Sequence, residues 1–362
     1  MVQPYADGVR DPVGVALRRN DTEVVAITGA GAGLGRALVG RLAQREDLGG
    51  LIGIDLAPAR VDGVVWHAMD VRDAFLERRL SGATTVVHLA TSYDVTLPAM
   101  ARRALNVPGT ECVLAAAQEA GARRVVLCTS SEVYGARPDN PMPMPDAAPL
   151  RAEPDEGTLA QDHAIVEQLA ADACRQGFQV TVLRPATLVG LSPAYDGQLL
   201  RQLSSPRLLA VRGVEPLWQL CHVDDLLSAL ELAALGVILG PAAVACEGAM
   251  RQAVVEEMAG RRRLEVSASV AFSTAESLRR AGVTDSSPRE LDHLLGPLVM
   301  ACDGLRESGW APAWTNEEAL LAHLSARADS RAQVYTAAGA TVALLGTAAL
   351  VRQARRRRRR RP

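Results

Sequence analysis

Thr28-Gly29-Ala30-Gly31-Ala32-Gly33-Leu34-Gly35 decides how this chain is read. Before it lies the apolar, β-branched run Val24-Val25-Ala26-Ile27, which predicts a buried strand. After it, Leu34 to Arg45 carries a helical pattern. Glycines between strand and helix let the backbone turn tightly and approach a pyrophosphate, whose charge then sits at the helix N-terminus. A second strand, Leu51-Ile52-Gly53-Ile54-Asp55, ends in an acid twenty residues beyond Gly35. A carboxylate there accepts hydrogen bonds from ribose hydroxyls and repels a 2′-phosphate, so the pattern predicts NAD rather than NADP.

Further short apolar runs follow at Val64 to Asp70, Thr84 to Ala90, Arg124 to Thr129 and Val180 to Arg184. Helical stretches separate them, notably Ala99 to Ala120 and Leu159 to Arg175. That alternation predicts βαβ units, hence an α/β fold with a doubly wound parallel sheet. Beyond about residue 186 the alternation weakens, and Val223 to Leu235 and Glu317 to Ser325 read as helices joined by loops. The expected organisation is a polar, flexible leader (1–22), a dinucleotide-binding Rossmann domain (23–185) and a smaller substrate lobe interleaved with it (186–330). A C-terminal apolar helix with an arginine-rich tail (331–362) completes the chain.

Apolar residues make up 48% of the 362 and charged residues 22%, a globular composition. All 39 basic residues are arginine, so any mechanism that needs a lysine is excluded. Eight of them fall in Arg352 to Pro362; without these, 31 basic residues face 41 acidic ones, leaving the body near −10. That sign argues against nucleic-acid binding by the main body. The six cysteines form no CxxC and no Cys/His cluster, which predicts buried thiols in a reducing, cytoplasmic setting and no structural metal. No apolar secretory signal follows Met1.

More motifs follow in order. They are Asp70-Val71-Arg72-Asp73, Val87-His88-Leu89-Ala90, Asn106-Val107-Pro108-Gly109-Thr110 and Cys128-Thr129-Ser130-Ser131-Glu132-Val133-Tyr134-Gly135. Leu183-Arg184-Pro185, His222-Val223-Asp224-Asp225 and Ser308-Gly309-Trp310-Ala311-Pro312 come later. Taken together, residues from about 23 to 325 resemble the extended short-chain dehydrogenase/reductases, the NAD-dependent epimerase/dehydratase family. The resemblance implies a cofactor site formed by Gly29, Gly31, Gly33, Leu34, Gly35, Asp55, Asp70, Val71, Leu89, Ala90 and Asn106. Asp70 would meet the adenine ring. It also implies nucleotide-sugar-type substrates, transient hydride transfer and a homodimer built on two helices per subunit, here Ala99 to Ala120 and Leu159 to Arg175.

Two departures stand out. The glycines follow the spacing of the single-domain form, with Ala32 where the extended form has glycine. More seriously, the family's chemistry uses a Tyr and a Lys four residues apart on one helix. Aligning Glu167 with the family's helix glutamate puts Leu159 at the tyrosine and His163 at the lysine, and none of the five tyrosines lies on this helix. The remaining catalytic candidates are Ser130, matching the family's serine, Glu132, where the dehydratase branch carries an acid, and His163. With an ordinary pKa of about 6.5, His163 would be a proton carrier or a ribose ligand. His222, Asp224 and Asp225 are expected to be structural, an Asp capping the helix that follows.

Two functions stay open on these residues. One is an NAD-dependent epimerase, dehydratase or reductase with a rewired proton path. The other is a catalytically degenerate NAD-binding sensor or scaffold. Val334 to Val351 is uncharged and precedes the arginine run, which suggests association with an anionic membrane surface.

Overall fold

The apolar runs lie side by side in one sheet. The computed structural model describes residues 23–95, 97–152, 157–192, 195–282 and 287–328. The first half runs β1 (Val24–Thr28), α1 (Gly33–Leu42), β2 (Gly50–Asp55), β3 (Val64–Ala68), α2 (Leu76–Leu80), β4 (Thr85–His88), α3 (Ala99–Glu119), β5 (Arg124–Cys128), α4 (Leu159–Arg175) and β6 (Gln179–Pro185). Beyond it come β7 (Thr187–Val189), α5 (Gln198–Arg201), β8 (Arg207–Val211), β9 (Leu217–Trp218), β10 (Leu220–His222), α6 (Val223–Ala234), β11 (Pro241–Val244), β12 (Met250–Arg251) and β13 (Arg262–Val266).

The sheet order is β11-β6-β5-β4-β1-β2-β3, every neighbour parallel. The chain winds outward from β1 through β2 to β3, then crosses back to β4 on the other side of β1. That reversal opens a crevice at the carboxyl ends of β1 and β4. Both faces are covered, so the strands are apolar throughout rather than alternating; Val25, Ala26 and Ile27 are all sealed from solvent. On one face Leu34, Leu38 and Leu42 of α1 pack with Leu226, Leu230 and Ala233 of α6. On the other, α2, α3 and α4 contribute Leu76, Leu80, Val113, Ala117, Val166 and Ala170. With few aromatics, the core is built from Ala, Val and Leu at helix–sheet contacts.

The region after residue 186 holds more strand than its sequence suggests. β11 completes the main sheet beside β6, with Ala242 opposite Leu183. β7 pairs β10, β8 pairs β13 and β9 pairs β12 in small local sheets. Strands of two to five residues are too short to show a periodicity. Contacts group the chain up to Ala319 into one unit and Leu320 onward into a second. Of the second unit, residues 320–328 are described, as helix. Val334 to Val351 and the arginine run, like the leader 1–22, lie outside the described residues. Among the described residues no helix is long and apolar enough to cross a membrane.

Candidate active site

The glycine-rich turn is shaped by contacts that exclude side chains. Gly29 has φ +70°, and a Cβ there would stand 2.6 Å from the backbone of Leu89 and Ala90. Only glycine lets the β1–α1 turn close onto the end of β4. α1 then begins at Gly33, also with positive φ, and its N-cap Ala32 offers no side-chain acceptor. Leu34 is buried in the core, and Gly35 packs against the carbonyl of Gly29. The positive end of α1 therefore faces the crevice.

Asp55, at the end of β2, braces this turn. Its Oδ2 accepts from the Gly31 N–H at 3.0 Å, and its Oδ1 accepts from the Ala57 N–H at 3.0 Å. Asp55, Gly29, Asp70, Val71, Leu89 and Ala90 all line one cavity of about 220 Å³. The Arg72 guanidinium grips Asp70 through Nε at 2.9 Å and Nη2 at 2.6 Å, holding its carboxyl down at about 2. Asn106 is fully buried, and its amide is engaged both ways with the Ser92 backbone: Oδ1 accepts from the N–H at 2.7 Å and Nδ2 donates to the carbonyl at 3.0 Å. It thereby ties α3 to the loop after β4. The donor-lined turn, the small residues at its rim and the carboxylate at the far wall fit a nicotinamide dinucleotide.

At the other end of the crevice, Ser130 follows β5 in extended conformation. α4 starts at Leu159, with the Thr158 hydroxyl accepting from the Gln161 N–H at 3.2 Å. Two buried ion pairs fix its register. Arg102 Nε on α3 donates to Asp162 at 2.8 Å, and Arg184 Nε on β6 donates to Glu167 at 2.9 and 3.1 Å. Glu167 also accepts from the Thr129 hydroxyl at 2.9 Å. Between these anchors His163 is turned inward, its Nδ1 3.1 Å from Ser130 Oγ. Its Nε2 is buried with no hydrogen-bond partner among the described residues. Burial, reinforced by the charge of Arg102, pushes the imidazole down to about 3. The ordinary value expected from sequence is thus corrected: His163 is neutral at physiological pH. Leu159, at the position expected for tyrosine, is buried.

Glu132 sits half-buried in the turn after Ser130, and burial pushes its carboxyl up. Tyr134 is a packing residue; its hydroxyl donates to the Asp146 carbonyl at 2.9 Å and accepts from Arg184 at 2.7 Å.

Two tyrosines that the sequence left unassigned also enter the crevice. The Tyr93 hydroxyl donates to the carbonyls of Cys128, at 2.8 Å, and Thr129, at 3.1 Å. Its ring lies 5.3 Å from that of His163. The Tyr195 ring is 6.1 Å from Tyr93, and its hydroxyl stands against Gly33. Tyr93 follows β4, and Tyr195 follows β6 and β7. Position after the carboxyl end of a parallel strand was the signal that could have found them.

His222 and its neighbours lie at the start of α6. The cap is His222 itself, not an aspartate: its Nδ1 accepts from the Asp224 N–H at 3.3 Å. Asp225 instead accepts from the N–H groups of Ala313 and Trp314. Among the described residues no group of three His, Cys, Asp or Glu side chains is placed to hold a metal.

Comparison with known proteins agrees with this geometry. The pattern of the NAD dependent epimerase/dehydratase family matches residues 25–237. An uncharacterized protein of Mycobacterium tuberculosis (strain ATCC 25618 / H37Rv) is 32% identical over 312 residues, 82% of each chain. A 4-hydroxy-2-methyl-3-oxo-4-farnesyl-3,4-dihydroquinoline-1-oxide ketoreductase of Stigmatella aurantiaca is 28% identical over 215 residues, 58% of this chain and 63% of its own. Among solved structures, Thermus thermophilus UDP-glucose 4-epimerase with NAD superposes with a TM-score of 0.60 at 19% identity, covering 83% of this chain and 98% of its own. Streptomyces venezuelae dTDP-glucose 4,6-dehydratase with NAD superposes at 0.62 and 20% identity, covering 86% and 98%. These likenesses establish the fold.

Proposed function

The chain belongs to the NAD dependent epimerase/dehydratase family, and on that premise we propose that it binds NAD between β1 and β4 and acts on a nucleotide-sugar-type substrate by hydride transfer. One observation carries this reading: six residues picked out for cofactor contact line a single cavity at the point where the sheet order reverses. When bound, NAD supplies the hydride acceptor. The chain's own residues supply the rest. Asp55 orients the ribose hydroxyls. Ser130 Oγ holds the substrate hydroxyl and is itself oriented by Nδ1 of neutral His163, 3.1 Å away. Glu132, with its raised carboxyl, is the proton donor for an elimination step.

The absence of lysine and the burial of Leu159 favour a second reading, an NAD-binding sensor or scaffold without turnover. Calorimetric titration with NAD and NADP, beside Asp55→Asn, tests the premise the two readings share. The expected result is NAD binding, weaker NADP binding and loss in the variant; binding of neither nucleotide overturns both readings. Exchange of deuterium between 4-deuterated NADH and candidate nucleotide sugars then separates enzyme from sensor. The same proposal extends to a homodimer on α3 and α4 and to an anionic membrane surface for the arginine tail. Sedimentation velocity tests the first, and flotation with phosphatidylserine vesicles, with and without residues 331–362, tests the second.

A further inference from the structure

The N-terminus of α1 already has an occupant. The Tyr195 hydroxyl stands over the first turn of α1. It lies so close to the turn that a Cβ on Gly33 would be 2.1 Å away. No side chain of the turn itself caps this helix end. The Tyr195 ring also forms one wall of the cavity that holds Asp55 and Asp70. The space left is about 220 Å³. Sites for drug-sized ligands measure roughly 300–1,000 Å³, and a dinucleotide is larger than most such ligands. The phenol stands at the end of this cavity where a diphosphate would meet the helix.

We propose that Tyr195 is an internal competitor for the diphosphate end of the cofactor site, so that a dinucleotide binds only after displacing its hydroxyl from the turn at Gly33. This rests on the NAD reading above. The native affinity for NAD is then the intrinsic affinity reduced by the fraction of molecules in which Tyr195 has withdrawn. A nucleoside, which has no diphosphate, escapes that reduction. Burial keeps the phenol protonated, so it can leave the helix end without abandoning a charge.

Calorimetric titration of the full chain with NAD and with adenosine tests this in the native protein, Tyr195→Phe and Tyr195→Ala. Tyr195→Phe removes the hydroxyl that crowds the turn and keeps the ring; it should tighten NAD binding about fivefold. Tyr195→Ala also clears the volume and should tighten it further. Adenosine affinity should stay within about twofold of native in Tyr195→Phe, which keeps the ring that walls the cavity. NAD binding that is unchanged or weaker in both variants overturns the proposal, because Tyr195 would then be a bystander or a contact. Equal tightening for adenosine in Tyr195→Phe overturns it too, since the whole cavity would have loosened. Adenosine binding with no NAD binding in any form overturns the NAD reading as well, which distinguishes that failure from the first two.

Discussion

Arg102 and Asp162 form an ion pair sealed from solvent, 2.8 Å from Nε to Oδ2, one residue from His163 on α4. Breaking such a pair strands a charge in a low-dielectric interior, at a cost of roughly 3–5 kcal/mol. Arg102→Leu should therefore lower the urea midpoint sharply. Arg102→Met combined with Asp162→Leu should recover most of the loss, because the pair as a whole is nearly neutral against well-packed apolar groups. Urea denaturation of the three forms checks both halves.

Acid should unfold this protein early. The folded state holds His163 down at about 3, and His88 and His293 at about 4, each through burial, against 6.5 in an unfolded chain. Below 6.5 the unfolded state takes up protons that the folded state refuses, so stability falls as pH falls. The loss continues to about 4 for His88 and His293 and to about 3 for His163. Above 6.5 these groups contribute no pH dependence. Each costs about 1.4 kcal/mol per pH unit within its window. Denaturation midpoints from pH 7 to pH 4 should show this slope, and His163→Gln should remove one proton from it.

Gly29→Ala should cost roughly 2 kcal/mol or more. The new side chain meets the backbone of Leu89 and Ala90 just after β4 and takes a left-handed conformation that L-residues avoid. Thermal unfolding measures the loss. Gly63→Ala, also with positive φ but with open space around it, isolates the conformational part.

Ser130→Ala and His163→Ala should each slow hydride transfer by about 10²–10⁴-fold. The double variant should be no slower than the worse single one, because the two groups act as one hydrogen-bonded unit. Single-turnover rates on a substrate identified by exchange check this; additive losses would show two separate roles.

The glycine-rich turn and the sheet around it were legible because local rules govern them. α4 begins and ends at Leu159 and Arg175, as its pattern predicts. α1 stops at Leu42 rather than Arg45, because Arg45 turns away to pair with Asp47 and with Glu231 on α6. The meeting of Ser130 and His163 is a different matter. It depends on α4 being locked in register by Arg102, sixty residues before its partner, and by Arg184, seventeen after. No local pattern carries that information. Tyr93 and Tyr195 were hidden for the same reason: neither lies on α4, and the fold brings both phenols in from loops.

The distance along the chain between β6 and β11 has a consequence for synthesis. β11 pairs with β6 only when Pro241 to Val244 has left the ribosome, well after Pro185. Until then β6 is the exposed rim of a nascent sheet, its apolar residues Val182 and Leu183 beside unpaired backbone groups, and such a rim invites pairing with other chains. Asp146 waits on the same event, since its carboxylate receives the Ala243 N–H at 2.9 Å and the Gly304 N–H at 2.8 Å. A ribosome stalled between residues 185 and 241 would thus present a sticky, half-finished sheet with an unquenched acid at its border. The chain is vulnerable to aggregation in that interval, and a chaperone that shields strand rims would act there.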